Sequence, residues 1–217
     1  MHIAIAGNIG AGKSTLAQRL ALHYNWEVFY ESVDDNPYLE DFYADMNQWA
    51  FHLQVYFLST RIKQVLDIQA ATHTIIQDRT IYEDAVIFAK NLHSSGHINP
   101  RDYQNYLSLF DTMTSFVKPP DLLIYLRAGM PTLVQRIEKR GREYENNIKL
   151  DYLRKLGDAY EEWISQYDKG KLLIINADEL DFVAHKEDLG KVIEKVDREL
   201  FGIFSKNPQA SPGGAAK

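Results

Sequence analysis

The chain contains no cysteine. A disulfide framework and a cysteine-ligated zinc site are therefore excluded, and a reducing compartment is compatible with the composition. Long apolar runs are also missing. The first, His2–Ala6, is about five residues long, far short of the ~20 needed to cross a bilayer. It also lacks the basic flank of a leader peptide, so a cytoplasmic protein with no membrane partner is expected. Excess positive charge is absent as well: 24 Lys and Arg stand against 30 Asp and Glu, a net charge of −6. That balance argues against broad binding to nucleic acid, though not against a local basic pocket for phosphate. No internal repeat or linker interrupts the chain. One domain over residues 1–204 is expected, followed by a small-residue, Gly/Pro-rich tail at 205–217 expected to be disordered.

What is present suits a folded protein. Of 217 residues, 45% are hydrophobic and 12% aromatic, enough for one sizeable core. Short apolar runs alternate with helical periodicity. Strands are expected at His2–Ala6, Trp26–Glu31, His73–Gln77 (ending at Asp78), Asp121–Leu126 and Lys171–Ile175. Helices are expected at Lys13–Tyr24, Leu39–Tyr43, Gln48–Ala71, Ile81–Leu92, Pro100–Val117, Leu150–Tyr167 and His185–Leu200. A further helix begins with Pro131 as its first residue and runs to about Arg140. This alternation predicts an α/β fold: a three-layer sandwich with a five-stranded parallel sheet flanked by helices. The long helical inserts on either side of the third strand should build a site beyond the carboxyl ends of the strands.

Gly7-Asn8-Ile9-Gly10-Ala11-Gly12-Lys13-Ser14 fits the phosphate-loop pattern G-x-x-x-x-G-K-[ST], with a strand before it and a helix after it. Glycines let the backbone wrap a phosphate, and the freed amides and the helix N-terminus face the anion. Lys13 supplies a point charge, and the Ser14 hydroxyl is placed for Mg²⁺. Thr15 extends the nucleotide-binding run. Such a loop serves hydrolases, switches and kinases alike.

Other residues narrow the choice. Glu31 ends the second strand and is the candidate base for a hydroxyl acceptor. Asp78-Arg79-Thr80 ends the third strand, and Asp78 is a candidate magnesium ligand, directly or through water. Arg136, Arg140 and Arg142 cluster with Glu143 and Glu145 on a helix and the turn after it. Arg136 and Arg140 are four apart and should share a helical face. An arginine-bearing segment that closes over phosphates is a lid.

With GNIGAGKST, the YES of Tyr30–Ser32, the DRT of Asp78–Thr80 and the RGREYE of Arg140–Glu145, the chain resembles the deoxynucleoside kinases from Ile3 to about Phe182. The resemblance implies ATP as phosphate donor, Mg²⁺, a deoxynucleoside acceptor and a homodimer. It implies that Glu31 is the general base for the 5′-hydroxyl and that Arg79 lies beside that hydroxyl. Asp78 stands where many members carry Glu. Tyr43 and Glu145 match the pair that binds the 3′-hydroxyl, Gln54 the glutamine that reads the base edge, and Arg136, Arg140 and Arg142 the lid arginines. Arg61 and Asp84 match an Arg/Asp pair of the cytosine- and purine-specific branches; as a bare salt bridge it would only tether two helices. Phe57 should line the same pocket, and makes the chain look like the bacterial deoxyadenosine/deoxyguanosine kinases, with purine favoured over cytosine. Asn176–Phe182, including Asp178, matches the region that contacts the donor base. Apolar positions along Gln48–Leu66 and Tyr103–Phe116 would serve either a dimer interface or the core.

Other enzymes share parts of this pattern. Thymidylate kinases also carry the loop, a DR motif and an arginine lid, but their monophosphate acceptor calls for cations where this chain has Glu31. A guanine-nucleotide switch would need N-K-x-D, which does not occur.

Overall fold

The computed structural model describes residues 1–31 and 36–202. Ser32 and the tail at 205–217 lie outside the described residues. The element order is β1 (His2–Ala6), α1 (Lys13–Tyr24), β2 (Glu27–Phe29), α2 (Leu39–Ala44), α3 (Met46–Ala70), β3 (Ile75–Asp78) and α4 (Ile81–Glu83). After a π-helical segment (Asp84–Ala89) come α5 (Lys90–Ser94), α6 (Pro100–Thr114), β4 (Leu122–Arg127), α7 (Met130–Arg140), a 3-10 turn (Glu143–Asn147), α8 (Leu150–Ser165), β5 (Lys171–Asn176) and α9 (Lys186–Phe201).

The sheet has five strands, all paired in parallel, in the order β2-β3-β1-β4-β5. Its faces follow from strand alternation. On β1, Ile3 and Ile5 point to one side and meet Leu16 and Leu20 of α1 and Val192 and Val196 of α9. Ala4 and Ala6 point to the other side and meet Leu53 of α3 and Leu156 and Tyr160 of α8. Alanine is small enough for the helices to pack close on that face. This is the three-layer arrangement expected from the alternation. A further apolar cluster, with Leu58, Ile81, Ala85 and Tyr106, joins α3, the π segment and α6 into the wall of the insert.

β1 is central, with β3 on one side and β4 on the other. The chain winds first toward β2 and β3, then crosses to β4 and β5. The reversal leaves a crevice at the carboxyl end of β1, where the glycine loop begins.

Three local departures have physical causes. β2 is three residues long and starts at Glu27; Trp26 is held outside it, stacked on Tyr24 at 4.1 Å across Asn25, whose φ is 55°. Met130 opens α7 and Pro131 is the second residue, because Gly129 sits in an extended conformation and takes the cap position. The helix expected at Ile81–Leu92 carries the π-helical segment instead of continuous α-helix. Asp84 and Phe88, four residues apart on this segment, both face the cleft.

α3, the longest helix, starts where the Asp45 carboxylate accepts hydrogen bonds from the Asn47 and Gln48 amides at 3.0 and 3.3 Å. Asp45→Ala should lower the free energy of unfolding by about 1 kcal/mol, read from urea denaturation; an unchanged value would mean that tertiary packing alone holds that end.

Candidate active site

The glycine loop leaves β1 in conformations that a side chain would not permit. Gly10 has φ +84°, and a Cβ there would lie 2.8 Å from the Leu133 carbonyl oxygen. Gly12 has φ +99°, and a Cβ would press on the Phe182 ring at 3.3 Å. The Asn8 side chain pins the loop, donating to the Leu153 carbonyl at 3.0 Å and accepting from the Ile9 amide at 2.8 Å. Lys13 is buried and donates to the Asn8 carbonyl at 3.2 Å. Burial, then the nearby Arg79 charge, lowers its pKa to about 8. An arriving anion would restore its full charge.

Beside the loop, Ser14 Oγ donates to Asp78 Oδ2 at 2.5 Å. The other oxygen of Asp78, Oδ1, is buried and has no hydrogen-bond partner among the described residues. A hydroxyl next to a half-satisfied carboxylate is an oxygen donor set that fits a hard divalent cation. No cluster of three or more metal-ligating side chains occurs among the described residues. A cation here would be held largely by phosphate and water, as Mg²⁺ prefers.

Facing the loop, Glu31 follows β2. Arg61 Nη2 donates to its Oε1 at 3.0 Å. Arg79 Nε lies 2.7 Å from the same oxygen. That second contact is an ion pair and not a hydrogen bond, since Nε–H has no aligned acceptor among the described residues. Burial pushes the Glu31 pKa up, but Arg79 and then Arg61 outweigh it and hold the carboxyl at about 2. Arg79 has φ 72°, an uncommon conformation for a long side chain. Its amide donates to the Ile5 carbonyl at 2.9 Å, and its guanidinium sits over the Phe88 ring at 4.5 Å.

Lys13, Ser14, Glu31, Asp78, Arg79 and Phe88 line one cleft of 230 Å³, the scale of a small molecule rather than a polymer. Gln54, Phe57 and Asp84 line it as well, with Tyr43, Tyr152, Arg140, Arg142 and Glu145 also on the wall. Gln54 Oε1 is buried without a hydrogen-bond partner among the described residues. Burial raises the Asp84 pKa to about 6 against the lowering effect of Arg61. The Tyr43 hydroxyl is held neutral, its pKa raised by burial and by Tyr152 and Glu145 nearby. Arg140 grips Glu145 with Nε and Nη2 at 3.0 and 2.6 Å, and Arg142 Nη1 lies 3.8 Å away.

Several candidate residues lie outside the cleft or apart from one another. Arg61 does not line the cleft; it lies behind it, 2% exposed, with Nε to Asp84 at 3.3 Å, Nη1 to the Asp78 carbonyl at 3.2 Å and Nη2 to Glu31. It bridges three walls of the cleft instead of offering donors into it. Arg136 and Arg140 do not act together. Arg136 donates to the Ala11 and Ala177 carbonyls at 2.8 and 2.9 Å, tying the glycine loop to the segment after β5, while Arg140 turns to Glu145. Asp178 accepts from the Gly129 amide at 3.1 and 3.0 Å, capping α7, and is outside the cleft. Gly7, Asn8, Ala11, Gly12 and Thr15 belong to the loop and the start of α1 but do not line this cleft, whereas Ile9 and Gly10 do.

Sequence reasoning missed Phe88 and Tyr152, aromatic wall residues with no motif around them, and Tyr144, which lies inside RGREYE but was not singled out. It also missed Glu83, although Thr80-x-x-Glu83 is a readable capping-box pattern, and both of its hydrogen bonds form.

A family model described as deoxynucleoside kinase matches residues 3–201. The deoxyadenosine/deoxycytidine kinase of Bacillus subtilis (strain 168) is 39% identical over 196 residues, covering 89% of this chain and 90% of that protein. The deoxyguanosine kinase of Lactobacillus johnsonii is 38% identical, covering 91% and 92%. Among solved structures, deoxyadenosine kinase from M. mycoides with bound dATP is similar at TM-score 0.80 and 34% identity, covering 91% of this chain and 99% of that one.

Carboxyl titrations followed by NMR should place Asp84 near pH 6 and Glu31 near pH 2. Arg61→Met removes a charge that lowers both, so both midpoints should rise. The stability contributions have opposite signs. That of Glu31 is full above its usual value of 4.5 and fades as pH falls toward 2. That of Asp84 is full below 3.8 and is lost as pH rises through about 6. Midpoints unmoved in the variant would separate Arg61 from both carboxylates.

Proposed function

The chain belongs to the deoxynucleoside kinase family, and from that premise we propose that it moves the γ-phosphoryl group of ATP to the 5′-hydroxyl of deoxyadenosine, with deoxyguanosine and deoxycytidine as weaker acceptors. The observation that carries the reading is that Glu31, fixed by Arg79, shares one cleft with Lys13 and Ser14 of the phosphate loop. A hydroxyl bound between them would meet a hydrogen-bond acceptor on one side and a phosphoryl group on the other.

The chemistry follows from the charges. Phosphoryl transfer passes through a loose transition state, so positioning and charge neutralisation supply most of the rate. Glu31 is ionised at neutral pH and, held at about 2, is a weak base in the ground state. It therefore orients the hydroxyl first and takes the proton late, when bonding to phosphorus has made that proton acidic. Arg79 and Lys13 lie where charge builds on the transferring oxygens. Mg²⁺, held by Ser14 and Asp78 directly or through water, would neutralise phosphate charge when bound. Arg140 and Arg142 supply further positive charge from the lid.

Base choice follows from acceptors. Ionised Asp84 can only accept hydrogen bonds, and the Gln54 amide both accepts and donates. That pair suits an exocyclic amine beside a ring nitrogen, as in adenine or cytosine, and opposes the carbonyl and methyl of thymine. The names of the relatives support a purine acceptor. Tyr43 and Glu145 suit the 3′-hydroxyl. Exposed apolar side chains at Leu66, Leu109 and Phe116 support a homodimer through the helical inserts. No described helix is long and apolar enough to cross a membrane; a cytoplasmic location, where ATP is available, belongs to the same reading.

Initial rates with ATP should rank deoxyadenosine first and thymidine last; thymidine or a nucleoside monophosphate as the best acceptor would overturn the reading. Glu31→Gln should lower kcat by ~10²–10⁴-fold while the protein stays folded, and near-normal turnover would remove Glu31 from its role.

A further inference from the structure

Glu83 does not line the cleft, yet it is the most deeply buried carboxylate near it, with no exposed surface. A buried charge persists only when donors surround it. Its Oε2 accepts from the Thr80 amide at 2.6 Å, which completes the capping box of α4. A cap needs nothing more, and caps usually work at the surface. Its Oε1 has a separate set of donors: the Gly7 amide at 3.3 Å, Arg79 Nη1 at 3.4 Å and the Tyr160 hydroxyl at 2.7 Å. Tyr160, fully buried on α8, also accepts from Arg79 Nη1 at 2.7 Å. Burial holds that phenol neutral, so its one proton goes to Glu83 and its lone pairs to Arg79.

We propose that Glu83 and Tyr160 are positioning residues that fix the Arg79 guanidinium relative to the first amide of the phosphate loop. The inference rests on the reading that Arg79 serves the transferring phosphoryl group. One carboxylate oxygen joins the start of the donor cradle to the arginine of the acceptor end, and the tyrosine closes the triangle. The left-handed backbone of Arg79 makes the device necessary. That residue has an ordinary conformation to relax into, and its neighbour Thr80 is held by the other oxygen of the same carboxylate. Without Glu83 the guanidinium loses two of its anchors, Glu83 itself and the proton-ordered Tyr160, and drifts from Glu31.

The test compares Tyr160→Phe and Glu83→Gln with wild type in kcat, both KM values, melting temperature and the Gly7 amide proton shift. Tyr160→Phe keeps the buried ring and should lower kcat by ~10-fold, and Glu83→Gln by ~10²-fold, the scale of a 1 Å misplacement. Both KM values should stay within about 2-fold, because a positioning loss is felt in the transition state. The Gly7 amide proton should move upfield in Glu83→Gln. Variants that melt lower but keep wild-type kcat, or that raise KM alone, would overturn the inference. Should Glu83→Gln not fold, Tyr160→Phe decides by the same criteria. A wild-type protein inactive on every deoxynucleoside would sink the proposed function itself, and the Gly7 shift would still report on the Glu83 contact.

Discussion

A carboxylate sits between two guanidiniums at the mouth of the sheet, and the rest of the site is arranged around keeping it there. Glu31 is mostly covered and would be expensive to bury alone. Arg61 and Arg79 hold it ionised. Each arginine then needs its own partners: Asp84 and the Asp78 carbonyl for Arg61, Glu83 and Tyr160 for Arg79. The result is one charged network reaching from the end of β2 through the end of β3 to α3, the π segment and α8. Its members cannot be moved singly, so the geometry at the cleft is inherited from the packing of the whole insert.

Arg61 is the hub of that network. It touches Glu31 beyond β2, the last residue of β3 and Asp84 of the π segment at once, so one buried side chain ties three walls of the cleft together. On the other side of the cleft, Arg136 ties α7 to the glycine loop and to the segment after β5. In this state Arg140 is occupied by Glu145.

Much of this was readable in the chain. Five apolar runs of the right length, separated by helical periodicity, specify a parallel sheet, because a strand buried on both faces needs no alternation to be seen. The glycine loop was readable because its backbone demands are written as residue types. Asp78 and Arg79 were readable as charges at a strand end, whereas Glu31, expected to end the second strand, lies two residues beyond it because β2 stops at Phe29. Other features leave no periodic trace. A π segment differs from an α-helix by hydrogen-bond pattern, which the Ile81–Leu92 periodicity does not encode. Arg61 and Arg136 were identified by position but not by direction, since a long side chain seven or four residues from a known one can turn toward several walls. Glu83 was legible as a cap and illegible as a tether, because its second set of partners comes from β1 and α8, far away in sequence.

The central claim is that Glu31 and the phosphate loop act on the same sugar hydroxyl. Phosphorus NMR of the product formed from ATP and deoxyadenosine tests it most directly. The structure predicts a monoester resonance split into a triplet by the 5′-methylene hydrogens, appearing in step with ADP. A doublet from a 3′-phosphate, or inorganic phosphate as the sole product, would contradict it.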